Sequence, residues 1–213
     1  MNSAIKNIMS LLLMALLVTS ILAACGQDTK DVTVSADEEN QETTQEQDTT
    51  TEEETESKLG SRSNPVPFQQ TATVEDELYN DNGDAFKIKF DLTVTEVARG
   101  DAAYQQLVAM NEFNEPAPEG YEWVLTKAKV KFLESETEDL SLFIDGIMNF
   151  NMVSESGDIY SGDSVGTTEP SFSFEMYVGN EKEGYMAHLV KPGEEAQLRY
   201  EEMIGGQVFF NLQ

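Results

Sequence analysis

The chain has 213 residues, of which 40 are acidic and only 13 basic, giving a formal net charge of −27 at pH 7. This charge argues strongly against nucleic-acid binding, because that function depends on Lys and Arg side chains that neutralise phosphates. It also disfavours docking on anionic lipid headgroups. The single cysteine cannot form an internal disulfide, so a folded domain of this chain must be stable without one.

The N-terminal segment carries one basic residue, Lys6, followed by an apolar run from Ile8 to Ala24. The run closes with Leu22-Ala-Ala-Cys25, which resembles a bacterial lipobox, in which the chain is cut before the cysteine and the cysteine is lipidated. Small residues before the cut are what a cleavage site needs. We therefore predict a signal peptide over residues 1–24 and a diacylglyceryl group on Cys25. Its two acyl chains anchor a protein stably, whereas one chain binds only marginally.

Two other interpretations of this segment remain open, a transmembrane helix and a freely secreted protein. The apolar run is interrupted by Ser10, Thr19 and Ser20, and it is short for a span of about 20 apolar residues. A buried core helix is disfavoured, because a polar tract follows the run at once. The lipoprotein interpretation places the protein on the outer face of the cytoplasmic membrane.

Residues 25–58 differ in composition from the rest of the chain. From Gly26 onward Thr, Gln, Glu and Asp dominate, no aromatic residue occurs, and the only β-branched apolar residues are Val32 and Val34. Such a segment cannot bury enough apolar surface to offset its ordering entropy. We predict a disordered acidic tether with a reach of roughly 30 Å as a random coil. An acidic interaction tail or a cation-collecting brush is the functional alternative.

The clearest strand signal lies in the segment Phe86–Val94, where apolar and polar residues alternate strictly, as in a strand with one buried face. The predicted buried face consists of Phe86, Ile88, Phe90, Leu92 and Val94. Just before this segment, Asn80-Asp-Asn-Gly-Asp84 predicts a turn, because Asn-Gly favours the primed turns of hairpins.

Six further strands are predicted from apolar runs that Gly and Pro residues separate. They are Glu122–Leu133, Ile147–Val153, Ser171–Val178, Tyr185–Val190, Ala196–Glu201 and Val208–Leu212. The segment Asp101–Met110 instead has the composition of a short helix, with Asp101 as its N-terminal cap. Residues 59–213 are therefore predicted to form one mainly-β domain, an antiparallel β-sandwich with one short helix.

Few residues in this domain point to chemistry. His188 is the only histidine, and alone it builds neither a metal site nor a catalytic triad, which favours a packing role. Asp81 and Asp84 offer oxygen ligands that calcium uses, but they lack the alternating acidic spacing of a calcium-binding hand loop. A turn is the stronger interpretation of that segment. We therefore expect no cofactor, and Asp81 and Asp84 are kept as calcium candidates.

Aromatic and acidic residues give two further candidates. Trp123, Tyr121 and Tyr104 could line a recognition surface, although aromatic residues beside an alternating strand more often belong to a core. The neighbouring carboxylates Glu194 and Glu195 fall on opposite faces if they lie in a strand, so they do not make a catalytic pair. No phosphate-binding glycine loop occurs in the sequence.

Several motifs resemble a family of uncharacterised Gram-positive lipoproteins. They are Gly60-Ser-Arg-Ser-Asn-Pro-Val-Pro67, Ala98-Arg-Gly-Asp-Ala-Ala103, the stretch from Asn111 to Leu125, Gly179-Asn-Glu-Lys-Glu-Gly-Tyr-Met-Ala187 and Val190-Lys-Pro-Gly193. The resemblance extends from Gly60 to the C-terminus. It implies an immunoglobulin-like extracellular domain of unknown function, related to secreted mycobacterial antigens, and it brings no catalytic residues. The family often has an aromatic-rich strand where this chain has Met186-Ala187-His188.

These observations favour a non-enzymatic binding or interaction module at the bacterial cell surface. Its expected partners are the membrane, through the lipid on Cys25, and a protein at the cell surface. One alternative is a cell-envelope hydrolase that uses surface carboxylates, and another is a surface protein that binds calcium or a small ligand. A substrate-binding lipoprotein of a transporter is disfavoured, because the chain is too short and too rich in strands for two α/β lobes.

Overall fold

The computed structural model describes residues 32–35, 57–160, 166–201 and 206–213. Eleven strands and one helix fall within these ranges. The strands are β1 (Val32–Ser35), β2 (Thr71–Tyr79), β3 (Ala85–Arg99), β4 (Glu122–Ser135), β5 (Leu142–Asp145), β6 (Phe150–Ser154), β7 (Ile159–Tyr160), β8 (Ser173–Met176), β9 (Glu181–Val190), β10 (Ala196–Glu201) and β11 (Gln207–Phe210). The helix α1 (Gly100–Met110) follows β3 directly.

The strands form two main antiparallel sheets. The larger sheet has five strands in the order β1-β2-β3-β4-β9, and the smaller has four in the order β11-β10-β6-β7. A separate pair joins β5 to β8. Every strand pair is antiparallel, so the predicted mainly-β antiparallel sandwich with one short helix is confirmed for the described residues.

The main hydrophobic core lies between the two sheets. Phe90 of β3 meets Tyr200 of β10 with their ring centroids 5.6 Å apart in an edge-to-face arrangement. Phe150 of β6 meets Phe172 in the same way at 5.4 Å. The Tyr200 hydroxyl donates to Asp76 Oδ2 of β2 at 3.0 Å, which ties the two sheets together by a polar contact.

The predicted buried face of β3 is confirmed from Ile88 to Val94. Ile88, Phe90, Leu92 and Val94 are at most 2 % exposed, and Phe86 at the strand end is half-buried. The predicted strands at Glu122–Leu133, Tyr185–Val190 and Ala196–Glu201 also form, with β4 and β9 longer than predicted. The other three predicted strands are shorter, and a turn occupies the start of the first of them. Ile147 and Met148, for example, are exposed in a turn whose backbone N–H groups donate to Asp145 Oδ1.

The predicted turn at Asn80–Asp84 connects β2 to β3, but its type differs from the expected primed turn. Asn80 Oδ1 accepts hydrogen bonds from the backbone N–H groups of Asn82 and Asp84. A primed turn of the type that Asn-Gly favours needs positive φ at both central residues, whereas here only Gly83, at +83°, has it. The hairpin is therefore closed by a five-residue loop, since Tyr79 pairs with Ala85.

The predicted helix is confirmed, although its N-terminal cap is not. Arg99 is the capping residue and makes no side-chain hydrogen bond, while Asp101 lies in the first turn, where its charge favours the helix N-terminus. The buried side chains of α1, Ala103 and Leu107, pack on the outer face of the five-stranded sheet against Trp123, Leu125 and Ala187. Within the described ranges, no helix has the length and apolar character that a membrane span requires.

The strand β1 departs from the predicted tether. Its four residues pair antiparallel with Thr71–Val74 at the edge of the larger sheet. They include Val32 and Val34, the two β-branched apolar residues of that segment, and strand pairing favours such residues. These four residues thus form a short strand within the segment that the sequence predicts to be a tether. Residues 36–56 lie outside the described ranges, as do the predicted signal peptide and Cys25.

Candidate ligand-binding cleft

The outer face of the four-stranded sheet carries a cleft of about 810 Å³. Because side chains alternate along a strand, β10 and β11 each present one face to the core and the other to this cleft. Leu198 and Val208 belong to the core, whereas Arg199 and Phe209 line the cleft. The strands therefore position two sets of side chains with separate roles.

One wall of the cleft comes from the segment before β2, which runs beside β11. The N–H of Phe209 donates to the carbonyl of Gly60, and the N–H of Val66 donates to the carbonyl of Phe209, both at 2.8 Å. These bonds fix the intervening residues Ser61, Arg62 and Ser63 at the cleft. The wall therefore depends on residues that are far from β11 in sequence.

Two of the three arginines of this acidic chain line the same cleft. Arg62 Nη2 donates to the backbone carbonyl oxygens of Glu155, at 2.6 Å, and Ser154, at 3.3 Å. Arg199 is only 7 % exposed, and its Nη2 bonds Glu201 Oε2 at 2.6 Å. The Nε of Arg199 is buried without a hydrogen-bond partner, which is costly for a charged group. Arg199 is therefore unusual on this face, because it is a buried charged residue with an unsatisfied hydrogen-bond donor.

Side-chain amides surround the two arginines. Gln197 Nε2 donates to the backbone carbonyl of Arg62 at 3.2 Å, and Gln213 Nε2 lies 3.4 Å from Glu195 Oε1. Among the described residues, none donates to Gln197 Oε1 and none bonds the side-chain amide of Asn211. The cleft thus presents both donors and acceptors that a bound molecule can use.

A polar cluster lies next to the cleft on β7 and the loop before β10. The Tyr160 hydroxyl donates a short hydrogen bond to Glu194 Oε2, and this bond lowers the pKa of Glu194. Burial raises the pKa of Tyr160, and the same bond adds to that shift. Lys191 bonds Asp158 Oδ2 at 3.1 Å, which raises the pKa of the lysine. Glu194 is therefore stabilised as a carboxylate, which is the opposite of what a general acid needs.

His188 lies between the sheets and does not line the cleft. It is 7 % exposed, and its Nδ1 is buried without a hydrogen-bond partner. Burial lowers the pKa of His188 to about 4, against an opposing effect of the backbone of Phe150 and Gly146. The imidazole is consequently neutral at pH 7 and enclosed by the core, as the packing interpretation predicts.

The structure separates the other candidate residues from the cleft. Asp81 and Asp84 are exposed in the β2–β3 loop, where Asn80 Nδ2 donates to Asp84 Oδ2 at 2.9 Å. In the part of the chain that the structure describes, no three His, Cys, Asp or Glu residues are grouped so that they could hold a metal ion. Trp123 is buried and donates from Nε1 to the carbonyl of Glu115 at 3.1 Å, whereas Tyr121 is 43 % exposed.

Sequence reasoning missed Arg62 and Arg199 as site residues. The only signal for them in the sequence is composition. The chain has 40 acidic residues but only three arginines, so each arginine is unusual. Their proximity depends on the pairing of β11 with β10 and on the wall segment beside it. That proximity does not follow from a local pattern.

The fold and the site define a small β-sandwich with a polar cleft on one outer face. No protein-family model matches the chain, and no curated protein matches its sequence. Three solved structures are similar in fold at low identity. The secreted protein MPT63 of Mycobacterium tuberculosis has 11 % identity and a TM-score of 0.38, with 69 % of this chain and 97 % of that protein covered.

The second and third structures come from other bacteria. A candidate lipoprotein of Bacillus subtilis has 15 % identity and a TM-score of 0.37, with 64 % of this chain covered but only 38 % of that protein. An uncharacterised β-sandwich protein of Clostridium difficile has 10 % identity and a TM-score of 0.37, with 70 % and 95 % covered. Likenesses this distant bear on neither ligand nor activity, and the strand pairing described above carries the fold assignment.

Proposed function

We propose that this protein is a non-enzymatic binding module, held by a lipid on Cys25 at the outer face of the cytoplasmic membrane, that takes its ligand in the cleft of the four-stranded sheet. Membership in the Gram-positive lipoprotein family is part of this proposal. The observation that carries the binding role is the buried, unpartnered Nε of Arg199 at a cleft where, among the described residues, Gln197 Oε1 and the Asn211 amide also have no partner. Unused hydrogen-bonding capacity in a concavity is what a ligand site provides.

The titratable groups favour binding over catalysis. The chain's only histidine is enclosed between the sheets with its pKa lowered to about 4, so it is remote from the cleft and uncharged at neutral pH. Glu194, beside the cleft, has a lowered pKa, and its hydrogen bonds to Tyr160 and Ser156 hold it as a carboxylate. A hydrolase that uses two carboxylates needs one of them to be a proton donor with a raised pKa. These two environments supply no such donor.

The anchor is tested by Cys25→Ser and cell fractionation. We expect the variant to be released from the membrane or to remain unprocessed, because the thiol that carries the lipid is lost. Gly26→Ala, which leaves the thiol in place, is the matched control and should fractionate like the wild type. A Cys25→Ser protein that is processed normally and stays on the membrane would refute the anchor.

The cleft is tested in living cells with a photoreactive amino acid placed at position 197. A second chain carries the same residue at position 105, since Gln105 is exposed on α1, on the other sheet. We expect a discrete crosslinked adduct from position 197 and none from position 105. Equal labelling at both positions, or no adduct from position 197, would contradict a ligand in the cleft.

A further inference from the structure

We propose that the ligand of the cleft is a neutral saccharide. This inference rests on the proposed binding function and adds the chemical class of the ligand. It starts from the hydrogen bonds that the two arginines of the cleft already make within the protein. Arg199 is paired with Glu201 at 2.6 Å, and Arg62 is bonded to two backbone carbonyls.

Charged ligands of either sign meet opposition at this site. The exposed carboxylates of Glu155 and Glu195 stand at the cleft, and the whole chain carries a net charge of −27, so an anion is repelled on approach. A cation meets the positively charged guanidinium groups of Arg62 and Arg199. A neutral ligand avoids both penalties.

The capacity that remains in the cleft is for hydrogen bonds of both kinds. Arg199 Nε is a donor without a partner, and within the described residues Gln197 Oε1 is an acceptor without one. The Asn211 amide offers one acceptor and two donor hydrogens. Sugar hydroxyl groups both donate and accept, so a saccharide can satisfy this mixed set.

Part of the remaining lining is apolar. Val153 and Phe209 line the cleft but are almost fully buried, so Ile159, which is 53 % exposed, offers the apolar surface that suits the C–H face of a sugar ring. An extended peptide is less suitable, because peptides that add to a sheet are recognised by unpaired backbone groups at a strand edge. The cleft instead lies on a sheet face, where side chains make the contacts.

The test is isothermal titration of the purified full chain, in a detergent without a sugar headgroup, with maltotriose, cellotriose and triacetylchitotriose. Trigalacturonic acid serves as the anionic counterpart. We expect saturable binding of at least one neutral trisaccharide. Gln197→Ala and Asn211→Ala should each weaken it by roughly fivefold to tenfold, the effect of one lost hydrogen bond. Gln105→Ala is the matched control, because it makes the same change on α1, and it should leave the affinity unchanged.

Salt distinguishes a neutral ligand from a charged one. The affinity for the neutral trisaccharide should change by less than about twofold between about 50 mM and about 500 mM NaCl, since screening acts on charges. The inference is overturned if none of the three neutral trisaccharides binds, or if their binding ignores both cleft variants. Preferential, salt-sensitive binding of trigalacturonic acid would also overturn it. Adduct formation at position 197 in cells would still support the proposed function in each of these cases.

Discussion

The two outer faces of the sandwich differ in whether a helix covers them. On the five-stranded sheet, α1 covers the face and buries Ala103 and Leu107 against Trp123 and Leu125, which makes a second apolar core. On the four-stranded sheet no helix of the described residues covers the face, and Arg199 lies there with an unpartnered Nε. The covered face contributes burial to stability, whereas the open face carries polar groups that stability alone does not require.

The core between the two sheets gives the largest expected loss of stability, against which substitutions on the two outer faces are compared. Phe90→Ala should lower the free energy of unfolding by about 3–5 kcal/mol, because a fully buried ring is lost and a cavity remains. Lys89→Ala, on the opposite face of the same strand, should cost under about 0.5 kcal/mol. Denaturant titration measures both variants, and equal small losses would show that β3 is not half-buried.

The covered face should behave like core. Leu107 of α1 is fully buried, so Leu107→Ala should cost about 2–5 kcal/mol in the same titration. Val108→Ala, one position along and partly exposed, should stay within about 0.5 kcal/mol of the wild type. A loss below about 1 kcal/mol for Leu107→Ala would mean that the packing of α1 on the sheet contributes little to stability.

The core histidine should make stability depend on pH. Its folded pKa of about 4 lies below the ordinary value of 6.5, so the unfolded chain takes up a proton first as the pH falls. The contribution of neutral His188 is therefore complete above about pH 6.5 and is lost as the pH falls toward 4. Between pH 7 and pH 5 the wild type should lose about 2 kcal/mol more than His188→Gln. Parallel pH profiles for the two proteins would show that His188 is accessible to protons in the folded state.

The open face should contribute least to stability. Arg199→Met should change the free energy of unfolding by less than about 1 kcal/mol in either direction, because it removes a buried unpaired donor together with one ion pair. Its partner Glu201 has a side chain that is 37 % exposed, so water can solvate that carboxylate afterwards. A loss similar to that of Leu107→Ala would show that Arg199 is a structural residue, and the contrast between the two faces would disappear.

Local patterns in the sequence predicted the elements whose burial follows a simple period. Strict alternation located β3, and helix-forming composition located α1. The strand β2 was missed because Asp76 interrupts its inward face of Ala72, Val74 and Leu78. That carboxylate is accommodated by the hydroxyl of Tyr200, 124 positions along the chain. A polar residue with so distant a partner gives no local sign that it faces a core.

The cleft was beyond sequence reasoning for a related reason. Arg62 and Arg199 come together only after β11 pairs with β10 and the wall segment binds alongside it. The burial of Arg199 depends on the same assembly. Composition shows that arginine is scarce in this chain, but it does not show that two of the three arginines share one cleft.

The short strand β1 limits the height at which the domain can stand above a membrane. Val32 follows Cys25 by seven residues, and an extended chain advances at most about 3.6 Å per residue. With the lipid on Cys25 and β1 paired to β2, the edge of the larger sheet stays within about 25 Å of chain from the bilayer surface. Under the proposed anchor, four residues of backbone pairing thus limit how far the domain extends from the membrane.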